Sequence, residues 1–261
     1  MATLTPSKVD TNELRTRVQD MYRMVADEPS GEFHFEMGRP LAERLGYPSD
    51  ELDQIPSAAI ESFAGVGYYF DLANLRKGES VLDLGSGSGM DSFLAARKVG
   101  PTGSVIGIDM TDAQLEKATR LARDAGIQNI TFQKSYIETL NLEDSSINVV
   151  ISNGVINLCP DKKSVFREIA RVLKRHGRMA IADIVTEKEL PEKVTCDASL
   201  WAACIGGALQ QKTYRTLIED AGLRINAVRE QPDYRFLSKS AEGASRDYGV
   251  KSICLEAEKM D

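Results

Sequence analysis

The stretch SVLDLGSGSGMDSFLAARKVGPTGSVIGIDM, residues 80–110, decides the fold. Its apolar opening, Val81 to Leu84, is short enough to be one buried strand. Gly85, Gly87 and Gly89 follow at alternate positions, residues 91–99 read as a helix, and a second strand, 104–108, ends on Asp109. Glycines at the mouth of a parallel sheet let backbone approach a ligand where a side chain would block it. The helix start behind them leaves amides to receive a polar or anionic group. An acid at the tip of the next strand is placed to accept hydrogen bonds from ribose hydroxyls. These features together predict a nucleoside pocket.

Spacing narrows the nucleoside. A dinucleotide fingerprint needs G-x-G-x-x-G, but the third position is Met90 counted from Gly85 and Ser92 counted from Gly87. A P-loop needs a Gly-Lys-Ser/Thr ending, which the run lacks. What remains, D-L-G-S-G-S-G followed by I-D-M, resembles the first two motifs of the class I S-adenosylmethionine (SAM) methyltransferases. The resemblance implies an α/β, Rossmann-like fold: a seven-stranded, mostly parallel sheet with an antiparallel last strand and an N-terminal helical cap. It also implies SAM as cofactor, with S-adenosylhomocysteine (SAH) as product. On this reading residues 1–57 are the cap and 58–261 the methyltransferase domain.

Composition sets the outer limits. With 261 residues, 42% hydrophobic and 27% charged, the chain is of ordinary soluble globular type, and one α/β domain with an N-terminal extension is the economical organisation. A net charge of −7 disfavours nucleic acid as partner, because neutralising phosphates needs a basic surface. No apolar run approaches a membrane span, and the first residues lack the apolar core of a signal peptide, so cytoplasmic residence is expected. The four cysteines, Cys159, Cys196, Cys204 and Cys254, show no C-x-x-C pairs; free thiols and no bound metal are expected. Oligomeric state has no signature in the sequence.

Along the chain, residues 11–26 carry Leu14, Val18, Met21, Tyr22 and Val25 at helical spacing behind a cap at Asp10 or Thr11. His34 lies between Phe33 and Phe35, open to packing or to catalysis. Pro40 starts a short helix that Gly46 stops. In 58–75, Gly65 and Gly67 lead into Tyr68, Tyr69 and Phe70. These rings suit either a closing loop that shields a bound ligand from water or plain core packing. Strands are expected at 80–84, 104–108, 129–133, 147–152 and 178–184, alternating with helices at 91–99, 112–125 and 161–174, hence a parallel sheet with right-handed crossovers. Ile137 and Glu138, after the third strand, are placed for an adenine ring and its amine, or else are a core residue and a solvated helix start. The loop from Asn153 to Pro160, beyond the fourth strand, should border the reacting group. His176, beside a helix-ending glycine, suits a C-terminal cap; Asp183 faces either acceptor or solvent. Residues 194–209 hold Trp201 and Cys204, as an acceptor-side wall or as core. Two last strands, near 223–230 and 249–257, form an antiparallel hairpin.

Three blocks resemble one branch of the superfamily, the arsenite methyltransferases: DLGSGSGMDSFLAARKVGPTGSVIGIDMT, SNGVINLCPDKKSVFREIARVLK and LWAACIGGAL. The resemblance spans roughly residues 58–222. It implies cofactor binding by Asp83, Gly85, Ser86, Gly87, Gly89, Asp109, Met110, Ile137, Glu138 and Asn153. The chain itself, apart from the resemblance, offers Tyr68, Tyr69, His34 and Trp201 as an acceptor pocket, with core packing as the alternative for each. Enzymes of that branch hold trivalent arsenic with thiolates, soft ligands for a soft acceptor. Their cysteine after the Ser-Asn of the fourth-strand loop is Gly154 here, and SFAGVGYYF before the first strand has none. Cys204 matches; Cys159, five residues beyond Gly154, is the nearest substitute. The small-molecule acceptor is then a trivalent metalloid or thiol, or alternatively an organic metabolite methylated on oxygen, nitrogen or carbon. A non-catalytic SAM-binding module is the reading from another class. In-line displacement needs orientation above all, worth up to about 7–11 kcal/mol, and no acid–base pair is obligatory.

Overall fold

The computed structural model describes residues 10–196, 201, 205–237 and 239–260, with residues 239–241 described by backbone only. Its centre is a sheet that runs β3-β2-β1-β4-β5-β8-β7. The strands are β1 (Ser80–Leu84), β2 (Ser104–Asp109), β3 (Ile130–Lys134), β4 (Ile147–Asn153), β5 (Leu173–Thr186), β6 (Leu209–Gln210), β7 (Leu223–Glu230) and β8 (Lys251–Lys259). β1 pairs in parallel with β2 and β4, β2 with β3, and β4 with β5. β8 is antiparallel to both neighbours and lies between β5 and β7, so the expected closing hairpin is present with its second strand inside the sheet. The two-residue β6 on the end of β5 is an eighth strand that no sequence pattern announced.

The central strands are apolar on both faces because helices cover both. Leu82 and Leu84 point to one layer, with Val150, Phe166 and Ile169; Val81 points to the other, with Phe93, Leu94 and Ala95. Burying such a side chain contributes about 1.5–3 kcal/mol, enough for these strands to set the register.

Helices before the sheet are α1 (Thr11–Asp27), α2 (Gly38–Leu45), α3 (Ser49–Leu52), α4 (Ser57–Glu61) and α5 (Phe70–Ala73); α6 (Met90–Val99) and α7 (Asp112–Asp124) follow within it. Asp10 caps α1, its carboxylate accepting from the amides of Asn12 and Glu13 at 2.9 and 3.1 Å. Leu14 and Val18 of α1, and Leu41, Leu45 and Leu52 after it, share one core with Val81 and Phe93.

The chain leaves α8 (Lys162–Val172) directly into β5, with a register shift where Ile147 pairs Leu173 and Val149 pairs Arg178. His176 sits in that irregularity with φ 60°, its Nδ1 3.1 Å from Glu258. It therefore lies within β5, four residues past the end of α8, and not at the helix terminus where a cap was expected. No helix among the described residues is long and apolar enough to cross a membrane.

Candidate active site

Beyond the carboxyl ends of β1, β2 and β4 lies a cleft partly open to solvent. Its floor is the β1–α6 loop, and one wall is Asp109–Thr111 at the tip of β2. Ser135–Glu138 line the side after β3, and Asn153, Val155 and Leu158–Pro160 the side after β4. Leu14, Arg15, Val18 and Tyr22 of α1, with Phe63–Gly65, close the top.

The glycine loop is tied to β2. The amides of Gly85 and Ser86 both donate to the Ile108 carbonyl, at 2.7 and 2.9 Å, and that of Gly89 to the Ser86 carbonyl at 2.9 Å. The Gly87 amide donates to Oδ2 of Asp109 at 3.0 Å, while Oδ1 accepts from Thr111 at 2.8 Å. These four loop amides are therefore satisfied internally, and the expected free amides are left to the start of α6 behind them. What the glycines supply is shape. A Cβ on Gly85 would stand 2.2 Å from Val155, and Gly85, Gly87 and Gly89 all have φ above +50°. Gly89 lies outside the lining and packs on Phe132 and Phe93.

Buried carboxyls gather at the inner end. Asp83 accepts from the Ser92 hydroxyl at 2.6 Å, and burial, then the nearby Asp91 carboxylate, raise its pKa to about 8. Asp91 accepts from Tyr47 (2.8 Å), Tyr69 (2.7 Å) and Asn153 (3.0 Å); burial raises its pKa against these three donors. The Asn153 carboxamide also takes the Val66 amide at 2.7 Å and donates to the Gly67 carbonyl at 3.0 Å, joining β4 to the loop before α5. Burial likewise raises Asp109.

At the outer end, Arg15 reaches Glu138 at 3.2 Å and lies 4.4 Å over the Tyr136 ring. Gln19 donates to the Met110 carbonyl at 3.1 Å, and Gln114 bridges from Ser88 (2.5 Å) to the Tyr22 carbonyl (2.8 Å). One face of α1 is thus fastened along the cleft.

Of the residues anticipated for the cofactor, Asp83, Gly85, Ser86, Gly87, Asp109, Met110, Ile137, Glu138 and Asn153 line the cleft together. Those anticipated for the acceptor do not. Tyr69 is fully buried with its hydroxyl on Asp91, and Tyr68 packs on Tyr47 and Phe70. His34 is edge-on to Phe35, and Trp201 is buried with its indole N–H on the Thr195 carbonyl at 2.8 Å. None of the four lines the cleft; Phe63, Ala64 and Gly65 stand where the aromatic wall was expected. Asp183 is buried under Tyr214 (2.6 Å), away from solvent and outside the cleft lining. Cys159 lines the cleft beside Glu138, and burial, then that carboxylate, push its thiol pKa up. Gly154 stands elsewhere, against Val66 and Ala64. Cys204 lies outside the described residues.

A test of fit for a sulfonium nucleoside rests on these groups. Ser86 Oγ is buried in the lining with no partner among the described residues. The loop leaves room for backbone-close approach, and the acids at the inner end suit a cationic amino-acid moiety. The residues fit. Sheet order, glycine loop and the acid on β2 define a Rossmann-like nucleoside-binding domain of class I type.

The comparisons agree and go further. A methyltransferase domain family matches residues 75–222. An arsenite methyltransferase of Halobacterium salinarum is 38% identical over 221 residues, 84% of this chain and 56% of that enzyme. One from Aquipseudomonas alcaligenes is 41% identical over 208 residues, 69% of this chain and 60% of its own length. The chain thus spans little more than half the length of these two relatives. A solved arsenic(III) S-adenosylmethionine methyltransferase of Chlamydomonas reinhardtii superposes with a TM-score of 0.63 at 32% identity, covering 87% of this chain and 75% of that one. The Streptomyces coelicolor geranyl diphosphate C-methyltransferase, at 17% identity and TM-score 0.70 over 97% of this chain and 100% of its own, shares the fold. The chain belongs to the class I SAM-dependent methyltransferases, in their arsenite methyltransferase branch.

Proposed function

We propose that the chain binds SAM in the cleft between α1 and the sheet and transfers its methyl group to a trivalent arsenical or related soft acceptor. The observation that carries the reading is the long match to arsenite methyltransferases joined to the Asp109-tethered loop. Bound SAM supplies an electrophilic sulfonium methyl. Asp109 accepts from the ribose, Ile137 and Glu138 face the adenine, and Asp83 with Asp91 offsets the positive charge of the amino-acid end. Asn153 holds the 65–67 backbone against that end, and α1 with Phe63 excludes water. No residue moves a proton; a soft acceptor brings its own lone pair, and orientation does the work.

Residues 1–57 act as the cap and 58–261 as the methyltransferase domain; the α1 contacts across the cleft support that division. Cytoplasmic residence and a small-molecule rather than nucleic-acid acceptor fit the net charge of −7. A second reading, an organic acceptor, is favoured by one observation: Cys159 is the only described thiol in the lining, whose acceptor side is Phe63, Val155 and Leu158.

The test is methyl transfer from SAM to arsenite, methylarsenite and a thiol panel, followed by mass spectrometry, for wild type and Cys204→Ser. Methylarsenite turnover lost in Cys204→Ser supports the metalloid reading. Turnover of no arsenical, with SAM bound by calorimetry, moves the assignment to an organic acceptor; absence of SAM binding ends it.

A further inference from the structure

Behind the loop that walls one side of the cleft sits a buried cation. Lys162, the first residue of α8, is 4% exposed, and its ammonium donates to the carbonyls of Asn157 at 3.1 Å and Cys159 at 2.7 Å. The same nitrogen lies 4.9 Å from the ring centroid of Trp201. Asn157 is held from its other side as well, its amide donating to Asp183 at 3.2 Å. Gly207 completes the arrangement: a Cβ there would stand 1.9 Å from the Asn157 carbonyl oxygen and 2.7 Å from the Trp201 ring. The Asn157 carbonyl is therefore the point where three elements meet.

A desolvated ammonium is costly unless each of its faces is occupied. Here two carbonyls and an indole face occupy it, and a cation over tryptophan is strongest when water is excluded. The sequence reads D-K-K at a helix start, which suggests a solvated lysine, so the burial marks a use beyond solubility.

We propose that Lys162 is a positioning residue for the acceptor side of the site. It fastens the 157–159 backbone, which carries Leu158 to the acceptor side of the cleft, to Trp201, and so fixes where residues 205–207 stand against that loop. The docking stands on geometry alone; its consequence for the acceptor rests on the methyltransferase reading.

The full chain has a single tryptophan, so its fluorescence reports Trp201 and nothing else. Lys162→Gln keeps donors for the carbonyls but removes the charge. Acrylamide quenching of Trp201 is expected to rise several-fold, and the acceptor KM on the order of tenfold, with SAM KM within roughly twofold. Lys162→Arg, a cation with a planar head, is expected to restore both. Unchanged quenching in Lys162→Gln, or equal damage to the acceptor and SAM constants, overturns the proposal. Should Lys162→Gln fail to bind SAH, Gly207→Ala decides: it wedges Trp201 from the loop, and quenching that stays at the wild-type level overturns the docking. If wild type methylates no arsenical, the functional reading fails while the fluorescence still judges Lys162.

Discussion

The backbone amide of Gly87 donates to Oδ2 of Asp109 over 3.0 Å, so the acid proposed to bind the ribose also holds the loop that forms the floor of the cleft. Removing it should do two things at once. Asp109→Ala is expected to weaken SAH by 10- to 100-fold, about 1.5–3 kcal/mol for one charge-assisted hydrogen bond. Asp109→Asn keeps the shape, but its amide cannot accept from both Gly87 and Thr111, so an intermediate loss is expected. Calorimetric titration of SAH measures both; an unaltered affinity in Asp109→Ala removes the proposed role.

The inner acids make stability and binding depend on pH in opposite senses. Asp83 has its pKa raised from 3.8 to about 8, and Asp91 and Asp109 are raised too. Between those values the folded chain holds a proton that the unfolded chain has lost. Stability of the ligand-free protein should thus fall as pH rises from about 4 to about 8, then level. SAM brings positive charge to ionised carboxylates, so its affinity should climb over the upper part of the same window. Urea midpoints and SAM titrations at pH 6, 7 and 8.5 test this, and Asp83→Asn should flatten both. A midpoint that rises with pH would contradict the assignment.

Asn153 is expected to be the least replaceable polar side chain of the cleft. It serves Val66, Gly67, Tyr47 and Asp91 at once. Asn153→Ala strips one donor from a buried carboxylate and leaves the Val66 amide without its acceptor, a loss of about 2–4 kcal/mol. Tyr47→Phe removes the hydroxyl that donates to Asp91 and accepts from Asn153, and should cost about 1.5–3 kcal/mol. Denaturant unfolding ranks the two. Equal stability of Asn153→Ala and wild type would show that the network is incidental.

The strand–helix rhythm from Ser80 onward was readable because each element declares itself locally, by an apolar run, a glycine turn or a capped amphipathic face. The floor of the cleft was readable for the same reason, since Gly85 to Asp109 is one continuous supersecondary unit. What escaped was assembled from distant pieces. Tyr47, Tyr69, Asp91 and Asn153 converge across separations of 22 to 106 residues, and no spacing rule links them. Aromatics beside glycines suit a lid and core packing alike, so the sequence leaves Tyr68 and Tyr69 open between them; Tyr69, buried with its hydroxyl on Asp91, belongs to the core. The placement of β8 between β5 and β7 is a property of the sheet, invisible in an isolated hairpin pattern. Arg15 reads as an ordinary helix-surface charge until Glu138, 123 residues away, is seen beneath it.

The two candidate thiols are expected to part ways. Cys159 lies beside Glu138 and within the lining that Ile137 shares, whereas Gly154, the position a cysteine would occupy by resemblance, abuts Val66 and Ala64. A thiol whose pKa is raised by burial and by a neighbouring carboxylate is a poor source of thiolate, the form that binds a soft acceptor. On the role proposed for Glu138, Cys159 falls on the adenine side of the cofactor. Cys159→Ser should therefore retain methylarsenite turnover within about threefold and act mainly on SAM affinity, through Glu138. Cys204→Ser should lose turnover with SAM affinity intact. Steady-state kinetics on both variants, with SAM titrated separately, draws the contrast. Abolished turnover in Cys159→Ser at unchanged SAM affinity would bring that cysteine to the acceptor and reverse the arrangement argued here.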